Sequence, residues 1–268
     1  MALPPPAASS TALITGASSG IGAAIARELA KRGHGVTLVA RRDDRLRELA
    51  DELAAAHGVR AETVAADLGT QAARDQLAAR IEELGLEVEI LVNNAGFGDS
   101  GDFADGDRER LVAMVELNCV AVLDLQARYA PAMAQRGRGA VINVASTAAF
   151  QPIPGTATYA ATKAFVLSLS EGTQSELAER GVTVTALCPG PVRTEFAEAA
   201  GVGGSEENLP GMFWASAEGV ASAAVEGVAK GKRVVVPGVV NRAGAFTGQH
   251  TPRMVALPIV KRLWRSGT

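Results

Sequence analysis

Aromatic residues are scarce in this chain of 268 residues, at 4% against 47% hydrophobic overall. Any core must be filled by Ala, Val, Leu and Ile, side chains that suit closely packed sheet and helix layers. Only two cysteines occur, Cys119 and Cys188, far apart in the chain. That excludes a disulfide framework and a zinc ribbon, and predicts reduced, buried thiols. The three histidines, His34, His57 and His250, form no cluster, so no metal site is expected. No run approaches the ~18 apolar residues of a membrane-spanning helix. Residues 1–10 hold Pro4-Pro5-Pro6 without the basic and apolar regions of a secretory signal, and read as a flexible leader. The expected location is cytoplasmic. A net charge of −3 gives no basic field for nucleic acid. That average conceals an asymmetry. Beyond Glu226 stand Lys230, Lys232, Arg233, Arg242, Arg253, Lys261, Arg262 and Arg265 with no acidic residue, so this stretch carries +8 and the rest −11.

What is present is a regular alternation. Short apolar runs at 11–14, 35–40, 59–66, 88–92, 140–144, 182–187 and 233–236 read as seven strands. Helical patterns fill 43–57, 70–84, 107–118 continuing to 136, 158–180 and 216–229. Uniformly apolar strands between helices predict an α/β fold, a doubly wound parallel seven-stranded sheet covered on both faces. The length suits one domain, 11–240, followed by a basic C-terminal extension, 241–268.

Four motifs carry chemistry. The first strand runs into Thr15-Gly16-Ala17-Ser18-Ser19-Gly20-Ile21-Gly22 and then into a helix. Strand, glycine turn and helix is the context of a dinucleotide fingerprint. Gly16 permits the tight turn, Gly20 a close approach to pyrophosphate, and Gly22 tight helix packing. Ser18, Ser19 and Ile21 complete the cradle, and the helix N-terminus attracts phosphate. The spacing is Gly-x-x-x-Gly-x-Gly, with a longer first gap than the usual Rossmann Gly-x-Gly-x-x-Gly. Asn93-Asn94-Ala95-Gly96 ends the fourth strand, and Pro189-Gly190-Pro191-Val192-Arg193-Thr194 follows the sixth. Tyr159 and Lys163 are four apart, with Ser146 thirteen residues upstream of the tyrosine. One helical turn sets i and i+4 side by side. An ammonium there favours the phenolate and lowers a tyrosine pKa that starts near ~10.

Together these residues resemble the short-chain dehydrogenase/reductase family over roughly residues 10–195. The resemblance implies a Rossmann-type fold, a nicotinamide cofactor and reversible reduction of a carbonyl to an alcohol. It implies that Asp67, with Leu68, meets the adenine amino group; Asp67 also reads as a helix N-cap. Asn94, Ala95 and Gly96 would lie against the adenosine ribose. Pro189, Gly190, Val192 and Thr194 would fix the nicotinamide carboxamide. At the end of the second strand an acidic residue selects NAD. This chain has Arg41-Arg42 there, a phosphate-binding pair, so NADP(H) is expected, with Arg41 the leading contact and Arg42 the second.

By the same resemblance Tyr159 is the general acid/base, Ser146 holds the carbonyl oxygen, Lys163 binds the nicotinamide ribose, and Asn118 props a proton-relaying water. Tyr159 and Lys163 are thus catalytic and cofactor-binding at once. Two alternatives compete. Gly16-Ala17-Ser18-Ser19-Gly20 also spells a serine-hydrolase elbow on Ser18, and a non-catalytic NADP sensor would share the cofactor motifs. The substrate, a small carbonyl or alcohol, is expected to meet a glycine-bearing lid at 195–214, with Phe196, Met212, Phe213 and Trp214, opposite Phe97, Phe150 and Ile153. Such a lining favours a hydrophobic ketone. The family's usual oligomer faces fall at 107–136 and 158–180, so a homodimer or homotetramer is expected. For the basic extension, packing on a partner subunit is the first reading and contact with an anionic membrane the second.

Overall fold

The computed structural model describes residues 3–195 and 211–266. Seven parallel strands lie in the order β3-β2-β1-β4-β5-β6-β7. They are β1 (Ser10–Thr15), β2 (Val36–Ala40), β3 (Ala61–Ala65), β4 (Glu87–Asn93), β5 (Gly139–Val144), β6 (Val182–Leu187) and β7 (Val234–Val235). The expected doubly wound sheet is present. β3 and β7, at the two edges, are shorter than their apolar runs.

Period-two alternation divides the core. Ile14 of β1 packs with Ile25 and Leu29 of α1 (Gly20–Lys31) and with Val220 and Val225 of α7 (Ala217–Ala229). Its neighbour Leu13 points the other way, to Leu77 of α3 (Gln71–Glu83) and Leu125 of α5 (Ala121–Arg136). Small side chains, Ala23, Ala26, Ala221 and Ala224, sit in the α1 and α7 layer of this core. α2 (Asp43–His57) buries Leu46, Leu49, Ala50 and Leu53 against the same face.

The long helix expected over 107–136 is divided. α4 (Arg108–Val115) passes into a π-turn, Glu116–Val120, before α5 begins. α6 (Ala157–Leu177) carries the Tyr159/Lys163 pair. The C-terminal extension is not loose among its described residues: α8 (Val239–His250) starts two residues before its expected boundary, and α9 (Arg253–Ser266) follows.

Candidate active site

The cleft opens at the C-terminal ends of the strands, where the sheet order reverses between β1 and β4. It encloses about 1560 Å³. A single small ligand usually occupies ~300–1,000 Å³, so a dinucleotide and a substrate fit together.

The glycine turn forms one end. Gly16 has φ +65°, and a Cβ on it would stand 2.7 Å from Asn94 Nδ2. Asn94 donates to the Thr15 carbonyl at 2.9 Å and the Gly16 carbonyl at 3.1 Å. Thr15 Oγ1 accepts from the Asn94 and Ala95 N–H groups, each at 2.9 Å. Turn and Asn-Asn-Ala-Gly segment are therefore one knot, which any side chain on Gly16 would force apart. Gly20 has φ +56° and faces Thr194, whose Cγ2 is 3.1 Å from where a Cβ would be. Gly22 packs on the Gly16 carbonyl behind the cleft wall, while Ser18, Ser19 and Ile21 line the cleft. Ser19 is the α1 N-cap, yet its hydroxyl makes no cap bond. The first N–H groups of a helix lack partners within it, which suits an anion.

At the second strand's end Arg42, rather than Arg41, reaches the turn. Its guanidinium donates to Ser18 Oγ at 3.2 and 3.0 Å, to Ser19 Oγ at 3.0 Å and to Glu195 at 2.8 Å. Arg45 donates to the other Glu195 oxygen at 2.5 Å. The two guanidiniums, Arg45's foremost, hold the Glu195 carboxyl down at about 2. Arg41 is exposed and lines the same end of the cleft. A hydrolase elbow is disfavoured, because Ser18 accepts from a guanidinium and His250 instead stacks on Phe246 at the end of α8.

Asp67 is exposed and accepts from the Gly69 N–H at 3.1 Å. It is not the N-cap expected of it; Thr70 caps α3 by accepting from Ala73 N–H at 3.3 Å. Leu68 also lines the cleft but buries its side chain in the core.

Tyr159, Ser146 and Lys163 line the cleft together. Lys163 Nζ donates to the Val144 carbonyl at 2.8 Å and lies 5.7 Å from the Tyr159 ring centroid. Burial pulls the Lys163 ammonium down to about 8. Ser146 Oγ accepts from Ala148 N–H at 3.1 Å at the head of a short 3₁₀ turn. Thr147 N–H donates to the Pro189 carbonyl at 2.9 Å, fastening that turn to the Pro-Gly loop. Asn118 sits in the π-turn. It grips Phe97, accepting from its N–H at 3.1 Å and donating to its carbonyl at 2.9 Å, and reaches Thr162 Oγ1 at 3.2 Å. Gly96 makes room for this: a Cβ there would lie 2.8 Å from Asn118 Oδ1 and 3.6 Å from Lys163 Nζ.

Other placements were not visible as site features in the sequence. Under α6 runs an amide ladder. Asn93 donates to Asn143 at 2.9 Å, and Asn143 donates to Gln126 at 2.7 Å and to Ser170 at 2.9 Å. It ties β4, β5, α5 and α6 into one unit. α8 forms a cleft wall through Val240, Asn241, Gly244, Ala245 and Gly248. Asn241 is buried and packs so closely on Gly190 that a Cβ there would come within 2.5 Å of its amide. Phe97, Phe150, Ile153 and Phe213 line the cleft as expected. Arg193 lies over the Trp214 ring, 5.6 Å from its centroid. Phe196, Gly201, Gly203 and Gly204 of the expected lid fall outside the described residues, as does the Met212 side chain.

Known proteins resemble this chain in sequence and in fold. The very-long-chain 3-oxoacyl-CoA reductase of Anas platyrhynchos is 35% identical over 193 residues, covering 70% of this chain and 61% of the relative. A short-chain dehydrogenase from Sphingobium yanoikuyae in complex with NADPH superposes with a TM-score of 0.80 at 38% identity, covering 89% of this chain and 92% of that one. The bulky-bulky ketone specific alcohol dehydrogenase from Comamonas testosteroni gives 0.75 at 34% identity, covering 96% and 93%. The family profile for short chain dehydrogenase matches residues 10–202, the stretch that holds the glycine turn, Ser146 and the Tyr159/Lys163 pair, and the chain belongs to that family.

Proposed function

We propose that the chain is an NADP(H)-dependent oxidoreductase that interconverts a carbonyl and a secondary alcohol on a hydrophobic substrate. The observation that carries this reading is that Tyr159, Ser146 and Lys163 share one cleft with a glycine turn whose serines are already held by Arg42. The cradle fits a dinucleotide: positive-φ glycines bare the backbone, a helix N-terminus faces in, and the volume is ample. Arg42, with Ser18, Ser19 and Arg41, would hold a 2′-phosphate, a group carried by the NADPH bound in the Sphingobium relative.

The nicotinamide, when bound, supplies or takes the hydride. In the reducing direction negative charge grows on the substrate oxygen. Tyr159 gives that oxygen a proton, and Ser146 donates a hydrogen bond that fixes it. Losing one such donor typically costs ~10²–10³ in rate. Lys163 faces the same space as a cation below about pH 8 and biases the phenol toward ionisation. Asn118, tied to Phe97 and Thr162, would orient a water between Lys163 and solvent.

Phe97, Phe150, Ile153 and Phe213 on one side and the small residues Gly244, Ala245 and Gly248 of α8 on the other favour a bulky apolar ketone; the Comamonas relative's name specifies bulky-bulky ketones. Val112, Val115, Leu123 and Phe165 are exposed on α4–α6. They offer a self-association face for a homodimer or homotetramer.

The test is NADPH oxidation followed by absorbance across a ketone panel, with Tyr159→Phe beside wild type. Turnover should fall by ~10³ or more while NADPH still binds. A variant that keeps its rate, or a wild type that reduces only polar ketoses and no apolar ketone, rejects the reading.

A further inference from the structure

The two C-terminal helices use one side on the protein and leave the other bare. α9 turns Ala256 inward and half-buries Val260, which reaches the cleft. Its far side carries Met254, 89% exposed, Val255, 52%, and Ile259, 54%, with Pro258 exposed beside them. At helical spacing residues 254, 255, 258 and 259 make one stripe. Exposed Arg253, Lys261 and Arg262 border it. α8 adds exposed Val239, Arg242 and Phe246. The His250 ring stacks on Phe246 with centroids 4.2 Å apart. No carboxylate side chain occurs after Glu226 to balance these cations.

We propose that α8–α9 is a peripheral docking face for an anionic lipid bilayer. Met254, Val255 and Ile259 enter the headgroup layer, while Arg253, Lys261 and Arg262 meet lipid phosphates. Charge complementarity selects this occupant. A two-fold contact with a second copy would oppose the same cations with no acidic side chain on either tail. That role already has a separate apolar surface on α4–α6. The helices lie on the membrane rather than in it, for no described helix is long and apolar enough to cross. The inner sides of α8 and α9 wall the cleft, so docking would bring its mouth beside the apolar phase. This consequence rests on the hydrophobic-ketone reading; the docking does not.

The experiment is co-sedimentation of the full chain with vesicles of phosphatidylcholine alone and of phosphatidylcholine with phosphatidylglycerol, at low and high salt. Met254→Glu/Ile259→Glu runs in parallel, and sedimentation velocity reads the mass of both proteins. Wild type should bind the anionic vesicles at least about tenfold more tightly than the neutral ones, and salt should weaken binding. The double variant should lose about tenfold or more while its mass and its NADPH binding stay unchanged. Equal binding to both vesicle types, no binding, or a variant that binds like wild type overturns the proposal. So does a variant whose mass falls to that of a monomer, which would make the face a subunit contact. Failure to reduce any ketone would sink the oxidoreductase reading and leave the sedimentation result standing.

Discussion

The Glu195 carboxylate accepts a hydrogen bond from Arg42 at 2.8 Å across 153 positions of sequence. Arg45 closes on its second oxygen. The carboxylate thus sits where an anion held by Arg42 would sit. It keeps the arginines gathered, and a 2′-phosphate must compete with it. The three side chains are largely solvent-exposed, so water screens the competition and keeps it weak. Glu195→Gln should therefore tighten 2′,5′-ADP about threefold to fivefold and leave 5′-AMP unchanged, read by isothermal titration. Arg42→Ala should weaken 2′,5′-ADP by about tenfold or more. If Arg42→Ala binds it as wild type does, the phosphate lies elsewhere.

Lys163 gives a stability signature with a definite sign. Its folded-state pKa is lowered from 10.5 to about 8 by burial. Below about pH 8 both folded and unfolded chains hold the proton, and the folded chain bears the whole cost of a buried cation. As pH rises from there toward 10.5 the unfolded chain holds more protons, so stability climbs, by about 3 kcal/mol in all. Lys163→Met removes that climb. Cys119, at about 11, and Cys188 and Tyr129, at about 12, stay protonated in the folded chain over this window. They drop out when the variant's curve is subtracted from wild type's. The difference in unfolding free energy, from urea titrations without cofactor, should be flat up to about pH 7.5 and rise thereafter. A difference that is flat throughout means the ammonium is solvated.

The amide ladder makes a third expectation. Asn143 is fully buried, and its amide serves Asn93, Gln126 and Ser170 at once. Asn143→Ala leaves several buried polar groups short of a partner, each costing ~1–3 kcal/mol. Urea unfolding should show a loss of about 3 kcal/mol or more. Since β5 and α6 meet at this residue, kcat should fall more than NADPH affinity. A variant as stable as wild type would show that water replaces the amide.

The features legible in the sequence were those that local geometry forces. Gly16 and Gly20 take left-handed backbone that other residues rarely adopt. Tyr159 and Lys163 need only the helical repeat to meet at one cleft. What escaped depends on partners far along the chain. Nothing in Arg41-Arg42 says which side chain turns toward Ser18, for that is settled by Glu195 and the serines. The π-turn at Asn118 leaves the apolar pattern of a helix almost untouched. Asn143, Gln126 and Ser170 each read as ordinary polar positions until the sheet stacks them beside Asn93. Gly244 and Gly248 weigh against a helix, yet α8 forms across them, because Asn241 anchors its first turn to the Phe213 and Pro237 carbonyls, each at 3.3 Å.

Those glycines also make the substrate reading testable apart from stability. Gly244 lies inside α8 and lines the cleft, with nothing within 4 Å of where a Cβ would be. Gly244→Leu therefore meets no clash at its Cβ and gains helix propensity, about 0.5–1 kcal/mol. The new side chain stands in the space where a bulky ketone's second arm would go. kcat/KM for bulky-bulky ketones should fall by about tenfold or more, a loss of ~1–3 kcal/mol in transition-state binding. Small methyl ketones should be spared, and the melting temperature should hold or rise. If both ketone classes lose activity alike, α8 shapes the cofactor end of the cleft instead. If neither loses any, the substrate does not approach this helix, and the apolar pocket must be sought nearer Phe97 and Phe150.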